Sequence, residues 1–259
     1  MSAINSISGD KLARLVGTPR CPSLIDIRSN DEFSSNPRLI PGSIRKTHSN
    51  VSEWAGEFAA QSAVVICSDG AALSQGTAAW LRHAGVTADV LEYGFEGWAK
   101  AALPLVTAGK MPLPDRHGRS VWVTRARPKV DRIACPWLIR RFIDPKAKFR
   151  WLKKPKDCPK TALGFDFDGA EFTHIGARVT FEVLAASFGL DNDRAITRLG
   201  ALVHYLDVGG IAVPEAAGFA AIMAGARAQQ TDDDKLLQSM SAVLDALYAS
   251  YSELPGDES

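Results

Sequence analysis

Through residues 1–107 short apolar runs alternate with helical patterns. The runs 24–27 (LIDI) and 64–66 (VVI) are brief and rich in β-branched residues, which suits buried parallel strands. A third strand is expected at 89–91. The stretches 52–61 and 73–84 carry helix formers with apolar residues three and four apart. The second of these runs into His83-Ala84-Gly85, where glycine fits a helix cap. Strands alternating with helices predict an α/β fold with a parallel sheet flanked by helices.

The pattern changes after this point. Residues 108–119 are rich in Pro, Gly and charge, lack apolar periodicity, and read as a linker. Beyond it, 120–124 (SVWVT) and 149–152 (FRWL) are strand candidates, and 136–143 (PWLIRRFI) reads as a short amphipathic helix ending at Asp144-Pro145. Four further helices are expected. They span 181–188 (closed by Gly189), 193–206, 214–229 and 233–251, the last with apolar residues at Leu236, Leu237, Met240, Val243, Leu244, Leu247 and Tyr251. The reading is two domains, 1–107 and 120–259, the second a mainly helical α+β domain.

Composition narrows the partners. The 30 basic and 29 acidic residues nearly cancel, and no helix-turn-helix with a basic recognition face stands out, which weighs against direct nucleic-acid binding. No apolar run reaches the roughly 20 residues of a membrane helix. The first residues, MSAINSISGDKLARLVG, lack the pattern of a signal peptide, so a cytoplasmic protein without membrane partners is expected. The four cysteines, Cys21, Cys67, Cys135 and Cys158, are scattered and should be free thiols, each to be judged on its surroundings. His48, His83 and His117 show no partner pattern, the acidic run 232–234 suits a solvated helix start, and residues 254–259 read as a frayed tail. The sequence specifies no oligomeric state.

Cys67 stands out among the thiols. It follows the strand 64–66 directly and is followed by Ser68, Asp69, Gly70, Ala71 and Ala72 before a helix starts. Loops beyond the carboxyl ends of parallel strands gather functional groups. A helix N-terminus offers amides without intrahelical partners and favours an anion, so these loop residues form a candidate anion cradle around a thiolate. A buried structural cysteine is the alternative that position alone leaves open.

Flanking residues carry a resemblance. Asp26-Ile27-Arg28 with Glu32-Phe33, then Ile40-Pro41-Gly42-Ser43-Ile44, Val65-Ile66-Cys67 with Gly70, and Tyr93-Gly94-Phe95, Gly97-Trp98 and Leu103-Pro104-Leu105 together resemble a single rhodanese domain over about residues 8–106, in that family's order. The resemblance implies a sulfurtransferase. Cys67 would take sulfane sulfur from a donor, hold it as a persulfide and pass it to a thiol acceptor. Asp26 and Arg28 match the family's paired residues, which brace fold and loop. Many rhodaneses carry a basic or hydroxyl residue five positions after the cysteine; here Ala72 stands there. That departure argues against thiosulfate as the preferred donor and leaves a protein or small-molecule persulfide as plausible.

In the second domain, Arg132, Arg140 and Arg141 lie in a run that reads either as a solvated helix face or as a patch for chromate or another oxyanion. Cys135, within the same run, is a candidate for redox or metal chemistry. This run, with 165–174 (FDFDGAEFTH), Phe181-Glu182, 188–191 (FGLD), Val203-His204, Asp207 and 245–248 (DALY), is similar to the C-terminal domain of ChrB-type chromate-resistance proteins over about residues 120–251. That resemblance associates the chain with chromate sensing or resistance. The residues also suggest a metal: Glu171 and His174 are three apart, as are His204 and Asp207 in a helical stretch. If the pairs converge, imidazole plus carboxylate suits Fe, Zn or Mn, with Asp166, Asp168 and Glu182 as substitute ligands; local capping and ion pairing are the alternatives. Two readings of the whole chain follow. One is a sulfurtransferase coupled to a metal- or oxyanion-binding domain. The other is a chromate- or oxyanion-responsive regulator or detoxification protein whose rhodanese domain is a sensor or accessory.

Overall fold

The computed structural model describes residues 5–115, 118–154, 157–159 and 161–253. His117, part of the linker stretch and residues 254–259 lie outside them. The chain divides into two compact units, 1–109 with 141–145, and 110–140 with 146–259. Among the described residues, no helix is long and apolar enough to cross a membrane.

The first unit runs β1 (Ser6–Ile7), α1 (Gly9–Ala13), β2 (Ser23–Asp26), α2 (Asn30–Ser35), β3 (Arg38–Leu39), β4 (Ser43–Arg45), α3 (Val51–Trp54), β5 (Ser62–Ile66), α4 (Ala72–His83), β6 (Thr87–Leu91), α5 (Gly94–Lys100) and β7 (Val106–Thr107). Its main sheet is parallel, in the order β1-β6-β5-β2-β4. β5 and β2 are central and buried on both faces after their first residues, as short β-branched runs lead one to expect. Leu24, Ile25 and Asp26 of β2 lie opposite Val64, Val65 and Ile66 of β5, so the chain leaves both strands at the same edge of the sheet. One face packs Ile25, Val65, Ala78, Leu81 and Val90 with Trp54 and Phe58. Helix α4 ends as expected: Gly85 takes φ +84°, and Val86 N–H donates back to Leu81 O at 3.0 Å. The helix expected at 52–61 is shorter, because α3 passes into a 3-10 turn (Ala55–Phe58) at Gly56.

The second unit comprises β8 (Val121–Arg125), α6 (Val130–Leu138), β9 (Lys148–Leu152), β10 (Leu163–Gly164), α7 (Thr180–Phe188), α8 (Arg194–Val208), α9 (Ala216–Gln229) and α10 (Asp233–Glu253). Its sheet is parallel and ordered β10-β8-β9. Trp122 of β8 packs against Phe165, Phe172 and Phe188 at ring distances of 5.8–6.4 Å. Helix α6 packs on α7, α8 and α10. It begins at Val130, six residues before the expected start at Pro136. Proline suits a first turn, but here it lies inside the helix, where it withholds one backbone donor; a π-helical turn, Ile139–Ile143, follows. From Ile133 to Ile139 the chain is buried throughout, so the expected solvated face is narrow. Trp137 Nε1 donates to Asp245 at 2.8 Å, and Tyr248 Oη donates at 2.9 Å to Asp193, the cap of α8. The 245–248 motif therefore ties α10 to α6 and α8.

Candidate functional site

Cys67 sits where β5 gives way to the loop before α4, and it is 2% exposed. Gly70 N–H donates to its Sγ at 3.2 Å. The thiol lies 3.3 Å from Asp69 Oδ1 and 3.2 Å from Ser74 Oγ. Gly70 has φ +73°, and a Cβ there would stand 2.6 Å from Leu91 O and 2.8 Å from the amides of Tyr93 and Gly94. The following loop locks against this one: Phe95 N–H donates to Cys67 O at 2.8 Å and Glu96 N–H to Ser68 O at 2.9 Å. Gly70→Ala is therefore expected to cost about 1–3 kcal/mol and to displace the cysteine loop; chemical denaturation and the rate of Cys67 alkylation would check it.

The expected cradle is partly occupied from within. Ala71 N–H donates to Asp69 Oδ1 at 2.9 Å rather than to sulfur, and that bond, with the Cys67 thiol, holds the Asp69 carboxyl below its ordinary pKa. Ser68 Oγ bonds to Glu32 Oε1 at 2.6 Å, which, with the backbone of Ser29, keeps Glu32 ionised to lower pH. Ala72 opens α4 with a methyl group. Among the described residues the thiol therefore meets one carboxylate, one hydroxyl and one loop amide.

Asp26 and Arg28 are brought together beside this loop. Their side chains are each 1% exposed, and Arg28 donates to both carboxylate oxygens, the shortest contact being 2.6 Å. Arg28 also donates to Asn36 O and Arg38 O and lies 3.5 Å from the Phe95 ring centre. Ile27 N–H donates to Ile66 O at 2.8 Å. The pair fixes the turn after β2 against the residue preceding Cys67.

In the second unit, Asp131, on the first turn of α6, is 1% exposed. Thr180 N–H and Phe181 N–H, at the start of α7, donate to its two oxygens at 2.9 Å each, and Cys135 Sγ lies 3.2 Å away. Burial, and after it the charges of Asp166 and Asp207, push the Asp131 carboxyl up to about 6. His174 Nε2 is 3.3 Å from Asp131 Oδ2, 3.5 Å from Asp166 Oδ1 and 3.5 Å from Asp207 Oδ2. One ligand atom from each of Asp131, His174 and Asp207 lies within 4.8 Å of the others.

The expected metal set is thus half assembled. His174 and Asp207 meet, but Glu171 is exposed and outside the group, because a spacing of three makes neighbours on a helix and not in the loop it occupies. His204, one turn before Asp207, faces Glu182 instead at 2.9 Å; Glu182 also accepts from Val179 N–H. Asp131 is the ligand candidate that sequence reasoning missed. Its signal was a lone carboxylate at helical spacing from Cys135 and Leu138, on an apolar face.

Arg132 pairs with Asp166 at 2.7 Å, and Arg140 donates to Ala147 O and lies over Phe149. Arg141 belongs to the first unit. Each has a partner within the protein. Cys135 is fully buried, and burial with the neighbouring carboxylates pushes its thiol well up, opposite to what a redox thiolate needs. Burial also raises Cys21, to about 11, and Cys158.

The ChrB C-terminal domain family model matches residues 122–251. The chain belongs to this family. The rhodanese-like domain model matches residues 8–101 of the same chain, so a rhodanese-like unit precedes the ChrB C-terminal domain. The chain is 56% identical over 151 residues to Protein ChrB of Cupriavidus metallidurans, covering 58% of this chain and 47% of that protein; it spans about half the length of the curated relative it matches. Among solved structures it is similar to a rhodanese-related protein from Thermoplasma volcanium (23% identity, TM-score 0.35, 40% of this chain and 98% of that one). It is also similar to a thiosulfate sulfurtransferase from Pseudomonas aeruginosa (21% identity, TM-score 0.34, 42% and 20%).

Proposed function

We propose that the rhodanese-like unit carries sulfane sulfur as a persulfide on Cys67 and that the whole chain serves chromate resistance. The observation that carries the first part is Cys67 Sγ at the strand-to-helix loop, 3.2 Å from Gly70 N–H. The second part rests on membership of the ChrB C-terminal domain family and on the ChrB relative. This reading assigns the chain to the cytoplasm, where its four unpaired cysteines stay reduced.

The chemistry is two displacements at sulfur. Cys67 thiolate attacks the outer sulfur of a persulfide R–S–SH, the donor's S–S bond breaks, and the departing thiolate takes the proton as R–SH. The terminal sulfur on Cys67 bears the negative charge, which the Gly70 amide stabilises. An acceptor thiolate then attacks that terminal sulfur and leaves as a new persulfide, returning Cys67 as thiolate.

The donor is a persulfide rather than thiosulfate. Thiosulfate would place a sulfonate beside Asp69, whose carboxylate holds the Ala71 amide, and Ala72 offers no cation. Sulfur release to cyanide or a thiol should therefore be faster from glutathione persulfide than from thiosulfate. Asp69→Ser should raise turnover of thiosulfate about tenfold, the order expected for removing one unit charge near an anion at a protein surface, with little change for the persulfide. No release from either donor would overturn the sulfur-carrier reading. Equal response of both donors to Asp69→Ser would overturn the donor assignment.

A further inference from the structure

The sulfur chemistry leaves the cluster around His174 unused. Its side chains come from distant parts of the second unit: Asp131 from α6, Asp166 and His174 from the chain between β10 and α7, and Asp207 from the last turn of α8. Three carboxylates stand 3.3–3.5 Å from one imidazole nitrogen. That nitrogen carries at most one proton and can donate it to one oxygen. The remaining carboxylate contacts are then unsatisfied by the imidazole.

Charge balance points the same way. Arg132 Nε, 2.7 Å from Asp166 Oδ2, balances one of the three carboxylates. Asp131 has two amides and a thiol behind it but no cationic side chain other than His174 among its described contacts; the same holds for Asp207. Two negative charges remain: that of Asp131 is fully buried, where unpaired charge is costly, and that of Asp207 sits on a side chain 22% exposed. Moreover, the oxygens are held from behind. The α7 amides and Cys135 orient Asp131, while Arg132 and Thr180 Oγ1 orient Asp166. Fixing carboxylates through outer partners is how proteins build metal ligands.

We propose that Asp131, His174 and Asp207 bind one divalent cation, with Asp166 at the edge of the site. A divalent ion balances both remaining charges and turns the imidazole nitrogen into a ligand. One nitrogen with carboxylate oxygens and no thiolate suits Mn²⁺ or Fe²⁺. Cys135 stays a thiol turned to Asp131. The His174 side chain is about one third exposed (36%), which leaves open coordination positions for water or an oxygen-donor ligand. This site stands independently of the persulfide on Cys67.

The test uses the full chain, stripped with EDTA and titrated with MnCl₂, with free Mn²⁺ followed by electron paramagnetic resonance. The wild-type chain is expected to bind one Mn²⁺ and to melt at a higher temperature when loaded. His174→Ala and Asp207→Asn should weaken binding at least about a hundredfold, and Glu171→Gln should leave it unchanged. The Asp207 side chain makes no described hydrogen bond or ion pair except with His174, so Asp207→Asn should melt no lower than the metal-free wild type and report binding without loss of fold. Absence of Mn²⁺ binding by the wild type, binding undiminished in His174→Ala and Asp207→Asn, or loss in Glu171→Gln would overturn the site.

Discussion

Cys67→Ser is expected to reduce sulfur transfer by a factor on the order of 10³ or more, the scale of losing a covalent nucleophile. A serine hydroxyl at this place has no group that would make it an alkoxide, and an O–S bond does not replace the persulfide. The fold should survive. Sγ makes its contacts with Gly70 N–H, Asp69 Oδ1 and Ser74 Oγ, and a hydroxyl can accept from the amide and donate to one of the two oxygens. Steady-state sulfur release with a persulfide donor, beside a denaturation curve for the same preparation, separates loss of chemistry from loss of structure. Turnover retained in a folded Cys67→Ser chain would move the reaction elsewhere.

Asp26→Ala is expected to destabilise the first unit by about 3–5 kcal/mol, the range for stranding one partner of a buried ion pair. The Arg28 guanidinium would keep Asn36 O, Arg38 O and the Phe95 ring, but lose both carboxylate oxygens. Its charge would remain buried without the carboxylate it is bonded to. Replacing both residues by apolar ones, as in D26V/R28L, should recover part of the loss, because no charge is then left unpaired. The midpoint of urea denaturation measures both. A loss under about 1 kcal/mol for Asp26→Ala would mean that the pair does not brace the loop.

Local pattern carried the first unit well. The β-branched runs at β2 and β5 marked strands buried on both faces, and the abrupt change after Ile66 located the loop of Cys67. What pattern could not carry was the choice of partners. Asp69 and Ala71 were legible as loop residues, yet that Asp69 takes the Ala71 amide depends on the loop's dihedral path. Pro136 resembled a helix start because its missing donor costs nothing there; tertiary packing of α6 on three helices outweighs the cost in the interior. The metal candidates show the same limit. His204 and Asp207 share one helix, but α7 draws His204 to Glu182 and leaves Asp207 to His174. Asp131 was masked by the cationic run around it, and its place in the cluster follows from meeting the α7 amides 49 and 50 residues later in the chain.

The central claim is that sulfur rides on Cys67. Reduced full-length chain, incubated with glutathione persulfide and freed of donor, can be weighed intact and then digested. The account predicts a gain of one sulfur atom per chain, located on the peptide bearing Cys67 and removed by cyanide or an acceptor thiol. No gain in mass, or a gain on Cys21, Cys135 or Cys158 with Cys67 unmodified, would contradict it.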